Sequence, residues 1–232
     1  MGKRFRDRTQ AGRLLAEKLI DYGNRRDVIV LALPRGGVPV AYEVARALHA
    51  PLDVLIVRKL GLPDQPELAM GAIASGGVRV LNEDLLSSYP IPAEVIESVT
   101  ALEQKELERR ERIYRGNRPV PEVRGRTVIL VDDGIATGTT MRSAVEALKK
   151  LQAARIIIAV PVAPESAREE FGKLKDQVVF TSLTTPEMFI AISLWYEEFP
   201  QTSDQEVRDL IERAAKEIKS AQFNNRNEIT EA

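Results

Sequence analysis

The stretch Val128-Ile129-Leu130-Val131-Asp132-Asp133-Gly134-Ile135-Ala136-Thr137-Gly138-Thr139-Thr140-Met141 governs the reading of the whole chain. Four consecutive apolar residues, mostly β-branched, are the composition of a strand buried on both faces, as in a parallel sheet. The strand stops at two adjacent acids. Open parallel sheets bind ligands beyond the carboxyl ends of their strands, so Asp132 and Asp133 stand where a site is expected. A run of small and hydroxyl residues then opens a helix from about Thr139 to Leu151. Backbone N–H groups in such a loop, backed by the helix dipole, cradle a phosphate. Thr137, Thr139 and Thr140 add hydroxyl donors, and Gly134 and Gly138 let the main chain come close. A carboxylate pair directly before a phosphate cradle suits vicinal hydroxyls beside a phosphate, as in a ribose 5-phosphate. The plain alternative is an Asp-Asp-Gly turn before a capped helix. A nucleotide P-loop requires Lys where Thr139 stands.

Outward from this stretch, β-branched apolar runs alternate with helical patterns, the mark of an α/β fold with a parallel sheet flanked by helices. Strands are expected at Val28–Leu33, Asp53–Val57, Thr127–Val131, Arg155–Val160 and Gln177–Phe180. Met70–Ala74 and Val78–Leu81 read as a hairpin turning at Ser75-Gly76-Gly77. Helices are expected at Arg8–Ile20, from after Pro34-Arg35-Gly36-Gly37 to about Leu48, at 92–116, at Ala167–Leu174 and at Ser203–Lys219. The 92–116 helix interleaves Glu103, Glu106, Glu108 and Glu111 with Lys105, Arg109, Arg110, Arg112 and Arg115, the pattern of a solvated face laced with i,i+4 pairs. Its arginines have a second reading, as an arm that covers a phosphate ligand. The expected organisation is one domain, 1–232. Its core is about 24–182, a small hood lobe comes from 1–23 and 183–220, and a disordered polar tail spans 221–232.

Composition excludes several chemistries. The chain has 232 residues, no Cys and one His, which removes thiol nucleophiles, disulfides, thiolate metal sites and two-His metal centres. His49 ends a helical run and reads as a surface or helix-end residue. Net charge is −1, so no global field draws nucleic acid or anionic lipid, and any phosphate site is local. The longest apolar runs, Val28–Leu33 and Ile156–Val160, are strand-sized, and no apolar signal segment follows the basic start. Neither a membrane nor a nucleic-acid partner is expected, and the default location is cytoplasmic.

Val131-Asp132-Asp133-Gly134-Ile135-Ala136-Thr137-Gly138-Thr139-Thr140 resembles the phosphoribosyl-pyrophosphate motif of type I phosphoribosyltransferases nearly residue for residue. The order of elements extends the resemblance over roughly residues 4–212, nearest to stand-alone bacterial members with no assigned acceptor. It implies a transferase that moves the 5-phosphoribosyl group of 5-phosphoribosyl 1-pyrophosphate to a small-molecule acceptor, in nucleotide salvage or related metabolism, with Mg2+ as cofactor. The two acids would hold the ribose hydroxyls and meet the metal, directly or through water. The loop Gly134, Ile135, Ala136, Thr137, Gly138, Thr139 and Thr140 would hold the 5-phosphate. Leu33-Pro34-Arg35-Gly36-Gly37 falls where the family places its pyrophosphate loop; Arg35 would pair with the pyrophosphate, and Gly36 and Gly37 would expose N–H groups. Arg58-Lys59 resembles the opening of the catalytic loop in the adenine and orotate enzymes, and its bland reading is two surface cations. A lid would come from 59–70 or 82–118, and a homodimer is compatible with the family.

The 6-oxopurine members carry an acid, their general base, where this chain has Ala136. They also carry a purine-reading lysine after the next strand, where this chain reads Pro161-Val162-Ala163-Pro164. Hypoxanthine and guanine are therefore not expected as acceptors. Val162, Ala163, Trp195, Tyr196 and Phe199 are candidates for the acceptor wall, the three aromatics doubling as candidates for core. Two rival functions stand beside the transferase: a non-catalytic sensor of the same ligand, and a metal-dependent phosphohydrolase using Asp132 and Asp133.

Overall fold

The computed structural model describes residues 4–174 and 177–230, with side chains as far as residue 220. In chain order the elements are α1 (Arg8–Lys18), β1 (Val28–Ala32), α2 (Gly37–Leu48), β2 (Leu52–Val54), β3 (Val57–Leu62), β4 (Gln65–Ala74), β5 (Val78–Leu81), α3 (Glu83–Ser88), α4 (Ala93–Arg115), β6 (Thr127–Val131), α5 (Thr139–Lys150), β7 (Arg155–Val162), α6 (Glu165–Gly172), β8 (Val178–Thr184) and α7 (Asp204–Thr230).

Five strands form the parallel sheet, ordered β2-β1-β6-β7-β8. The stretch that ends in the acid pair is its middle strand: Ile129 of β6 lies opposite Val30 of β1 and Ile157 of β7. Because side chains alternate across a strand, Val28, Val30, Ile129 and Val131 enter the core shared with α1, α2 and α7. Ile29, Leu31, Val128 and Leu130 enter the opposite core, under α5 and α6. Both faces being covered, the strands read as unbroken apolar runs. His49 follows α2 in the left-handed conformation, its ring 3.0 Å from the Asn24 side-chain oxygen, a helix-end histidine as expected.

Four features depart from the sequence reading. The expected strand Asp53–Val57 is broken in two. β2 ends at Val54, and from Val57 the chain enters a separate antiparallel sheet, β3-β4-β5. Ile56 makes the crossing, donating to the Ser75 hydroxyl at 3.1 Å and accepting from the Ser75 N–H at 2.9 Å. A continuous apolar run carries no sign of such a change of sheet.

Second, α1 and α7, expected in a hood lobe, pack on the core shared with α2 and β1. A Cβ on Gly12 of α1 would lie 2.6 Å from the Val40 carbonyl of α2, and Val207, Ile211 and Ala214 of α7 share the core of β1. The N-terminal segment is tied to the chain before α7: Phe5 donates to the Trp195 carbonyl at 2.9 Å and accepts from the Glu197 N–H at 2.8 Å. Third, α7 runs to Thr230, through most of the segment expected as a disordered tail.

Fourth, α4 is not solvated throughout. Glu106 holds Arg109 and Arg110 on the outside, as the charge pattern suggests. Arg115, however, is buried. It donates to Asp53 at 2.8 Å and to Glu111 at 2.7 Å, and it bonds the Val54 carbonyl, tying α4 to the point where the chain changes sheets. A charge out of water is tolerated only with such partners.

Candidate active site

At the carboxyl end of β6 the two acids meet different surroundings. Asp132 is half-buried, and its Oδ1 accepts the N–H of Asp133 at 2.8 Å. Burial and the neighbouring Asp133 charge push the Asp132 carboxyl well above the usual carboxylate range. Asp133 is buried, and its Oδ2 accepts both Nε of Arg8 at 2.9 Å and Nη2 at 2.8 Å. Burial raises its pKa as well, against the downward pull of Arg8.

The loop from Gly134 to Thr140 follows. Ile135 donates to the Val162 carbonyl at 2.9 Å, and Gly138, at φ 75, turns the chain into α5. Among the described residues, the N–H groups of Ala136, Thr137, Gly138, Thr139 and Thr140 have no partner, and Ala136, Thr137, Thr139 and Thr140 are exposed. Unpaired N–H groups at a helix start are what an anion binds.

The loop after β1 is clamped onto the acids. Leu33 donates to the Val131 carbonyl at 2.9 Å, and the Pro34–Arg35 peptide is cis. A Cβ on Gly36 would sit 2.0 Å from Asp133 Oδ2, and one on Gly37 would sit 2.8 Å from the Val131 carbonyl and 2.9 Å from Asp132 Cα. No side chain fits at either position, so the contact itself demands glycine. Arg35 points to the start of α7, with Nη1 3.7 Å from Asp204 Oδ1. The same oxygen accepts the Tyr114 hydroxyl at 2.7 Å; burial and this bond raise the Tyr114 pKa to about 12.

Arg58 and Lys59 lie on strand β3 rather than in a loop, and they face opposite ways. Arg58 belongs to the row Ile73–Arg79, and its guanidinium is tied to Glu103 of α4 at 2.6 Å and 2.7 Å. Lys59 belongs to the row Ala72–Val80. Ala72 and Val80 line a 540 Å³ cleft with Thr139, Arg142 and Ser143 of α5. Lys59 pairs with exposed Glu67 at 3.1 Å. Of the two cations, Lys59 alone lies on the cleft side.

The aromatic cluster belongs mainly to the hood core. Tyr196 is buried 5.5 Å from Phe5 and 4.9 Å from Phe199, and its hydroxyl donates to the Asp133 carbonyl at 2.6 Å. Phe199 carries the Arg8 guanidinium 3.8 Å over its ring. Trp195 is half-buried. Val162 and Ala163, candidates for an acceptor wall, are fully buried beneath the loop. Sequence reasoning missed Arg8, Asp204 and Glu103. Arg8 had a signal: it falls on the helix face of Ala11, Gly12 and Leu15, all buried, where a cation needs a partner.

A hard divalent ion would find two carboxylates here; among the described residues no group of three or more metal-binding side chains exists. That suits magnesium, which keeps several waters and takes further oxygens from a substrate's phosphates.

A parallel sheet flanked on both faces by helices, with an acid pair and an N–H-lined loop at its carboxyl edge, is the type I phosphoribosyltransferase architecture. The chain belongs to that family: the model of the phosphoribosyl transferase domain matches residues 4–192. A Mycobacterium tuberculosis protein named provisionally as a phosphoribosyl transferase is 46% identical over 220 residues, covering 94% of this chain and 49% of that protein. The chain thus spans about half the length of the curated relatives it matches. The crystal structure of a Thermus thermophilus protein is 42% identical, with a TM-score of 0.78, and covers 90% of this chain and 97% of its own.

Proposed function

We propose that the protein transfers the 5-phosphoribosyl group of 5-phosphoribosyl 1-pyrophosphate to a nitrogenous base or related small acceptor, releasing pyrophosphate. One observation carries this reading: the loop after β1 is pressed onto Asp133 at Gly36, and Asp133 leads directly into a loop whose N–H groups at 136–140 have no partner among the described residues. In this reading the N–H groups of 136–140 hold the 5-phosphate, and the acids hold the ribose hydroxyls. Gly36, Gly37 and Arg35 receive the pyrophosphate, Arg35 exchanging Asp204 for it. Lys59 approaches from the β3–β5 flap, which with α5 keeps water from C1 during an oxocarbenium-like displacement. Magnesium, when bound, neutralises charge on the departing pyrophosphate. Ala136 can take no proton, so the acceptor must be activated from elsewhere. A cytoplasmic location and a homodimer accompany the reading; among the described residues no helix is long and apolar enough to cross a membrane.

The test is pyrophosphate release with magnesium and a panel of adenine, uracil, orotate, hypoxanthine and guanine, against no acceptor. Release with a base is expected, hypoxanthine and guanine falling about a hundredfold or more below the best, as loss of a general base implies. Donor binding without release for any acceptor would mark a sensor, and no donor binding would end the reading.

A further inference from the structure

Four separate parts of the chain meet on one guanidinium. Arg8, the first residue of α1, is buried. Its Nε and Nη2 both donate to Oδ2 of Asp133, its Nη1 donates to the Pro200 carbonyl at 2.7 Å, and its plane lies over Phe199. Nη2 also sits 3.3 Å from where a Gly36 Cβ would be. The acid pair, the loop after β1, the hood and the N-terminal segment are thereby fixed relative to one another. Among the described residues, the other oxygen of Asp133, Oδ1, makes no hydrogen bond, and it is not sealed from solvent.

We propose that Arg8 is a positioning residue for the phosphoribosyl transfer. By holding Oδ2 it fixes the rotation of the Asp133 carboxylate and presents Oδ1 to the ribose, and by binding Phe199 and Pro200 it seats the hood over the same sugar. The assignment rests on the role given to Asp133 under the proposed function. Arginine suits the task because its planar fork donates in three directions while stacking on an aromatic ring; a lysine ammonium at the same place cannot do both. The contacts also set a rival: Arg8 could serve only as glue between hood and core.

A double-mutant cycle separates the two. Arg8→Gln, Asp133→Asn and the double variant are compared with wild type for donor affinity by calorimetry and for kcat and KM by pyrophosphate release. Melting temperature is followed in parallel. If Arg8 acts through Asp133, Arg8→Gln lowers kcat about thirtyfold with a smaller rise in KM, and in the Asp133→Asn background it costs less than about twofold more. Arg8→Lys, which keeps charge and length and guards against a variant that fails to fold, lowers kcat about fivefold without the same loss of melting temperature. Losses that add across the cycle, or a lowered melting temperature with kcat and KM unchanged in both Arg8 variants, overturn the assignment. A wild-type protein that binds no donor overturns the functional reading and the assignment with it; one that binds and turns over while the Arg8 variants match it overturns the assignment alone.

Discussion

The carboxyl edge of the parallel sheet and the antiparallel β3–β5 flap both carry charged side chains, but they hold them differently. At the sheet edge the acids are held in place by the structure around them. Asp133 has Arg8 on one oxygen and a glycine backbone pressed against it, and Asp132 is bonded to the next N–H. On the flap, Lys59 has one partner among the described residues, Glu67, itself fully exposed. An exposed pair of that kind contributes little and exchanges readily. Arg35 stands between these extremes, at 3.7 Å from Asp204. Under the proposed function the difference is one of timing: the edge is organised before a ligand arrives, whereas Lys59 and Arg35 would have to exchange Glu67 and Asp204 for one.

The sharpest break of this contrast is removal of the acids. Asp132→Asn with Asp133→Asn should cost about 2–4 kcal/mol in transition-state stabilisation. Calorimetric titration with the donor, with and without magnesium, checks it, and unchanged binding would dissolve the distinction. Next is Arg35→Ala, which should lower turnover on the order of a hundredfold while ribose 5-phosphate still binds. Equal losses for the donor and for ribose 5-phosphate would put Arg35 among the preorganised groups.

The flap makes a smaller and internal comparison. Lys59→Ala should lower kcat about tenfold with an unchanged melting temperature, since among the described residues its one bond is to exposed Glu67. Arg58→Ala should do the reverse, leaving kcat nearly intact and lowering the melting temperature by about 2–4 °C through loss of Glu103. Identical profiles would mean the two cations share a face in solution.

The smallest effect is on stability. Asp132 is raised in the folded protein, so between its unfolded and folded pKa values the folded state keeps a proton that the unfolded state releases, and stability falls as pH rises through that window. Asp132→Asn removes the penalty. It should raise the melting temperature about 2–4 °C at high pH, the gain fading as pH falls into the carboxylate range. Melts across pH decide it.

Local signals were legible and long-range ones were not. β6 and the start of α5 fall on the residues read from the sequence, because an apolar run, an acid stop and a glycine loop all lie within one stretch. The Arg8–Asp133 pair spans 125 residues of chain, and no local pattern encodes such a partner. The change of sheet after Val54 was hidden for a related reason: Leu55 and Ile56 are as apolar as the strand before them, and what separates the sheets is a bond to Ser75 far along the chain. What the sequence did not disclose about Arg58 and Lys59 is that they lie on a strand rather than in a loop. Adjacent residues of a strand face opposite sides, so a loop reading hides that one of the two must turn away.

The flap is held at its base and along its α4 side, where Arg58 meets Glu103 and Arg79 meets Glu97, but not at its tip. Arg115, Asp53, the Val54 carbonyl and Ser75 lock its base, while the tip at 63–67 is exposed on every residue. From Ser75 back to Gln65 the strand is a lever arm of about 33 Å, at about 3.3 Å per residue. A rotation of about 10° at the base would therefore sweep the tip through about 6 Å by that geometry, and Lys59, level with Ala72 near the base, through about 2 Å. The same small rotation is thus amplified at the exposed tip and damped at the cation near the base.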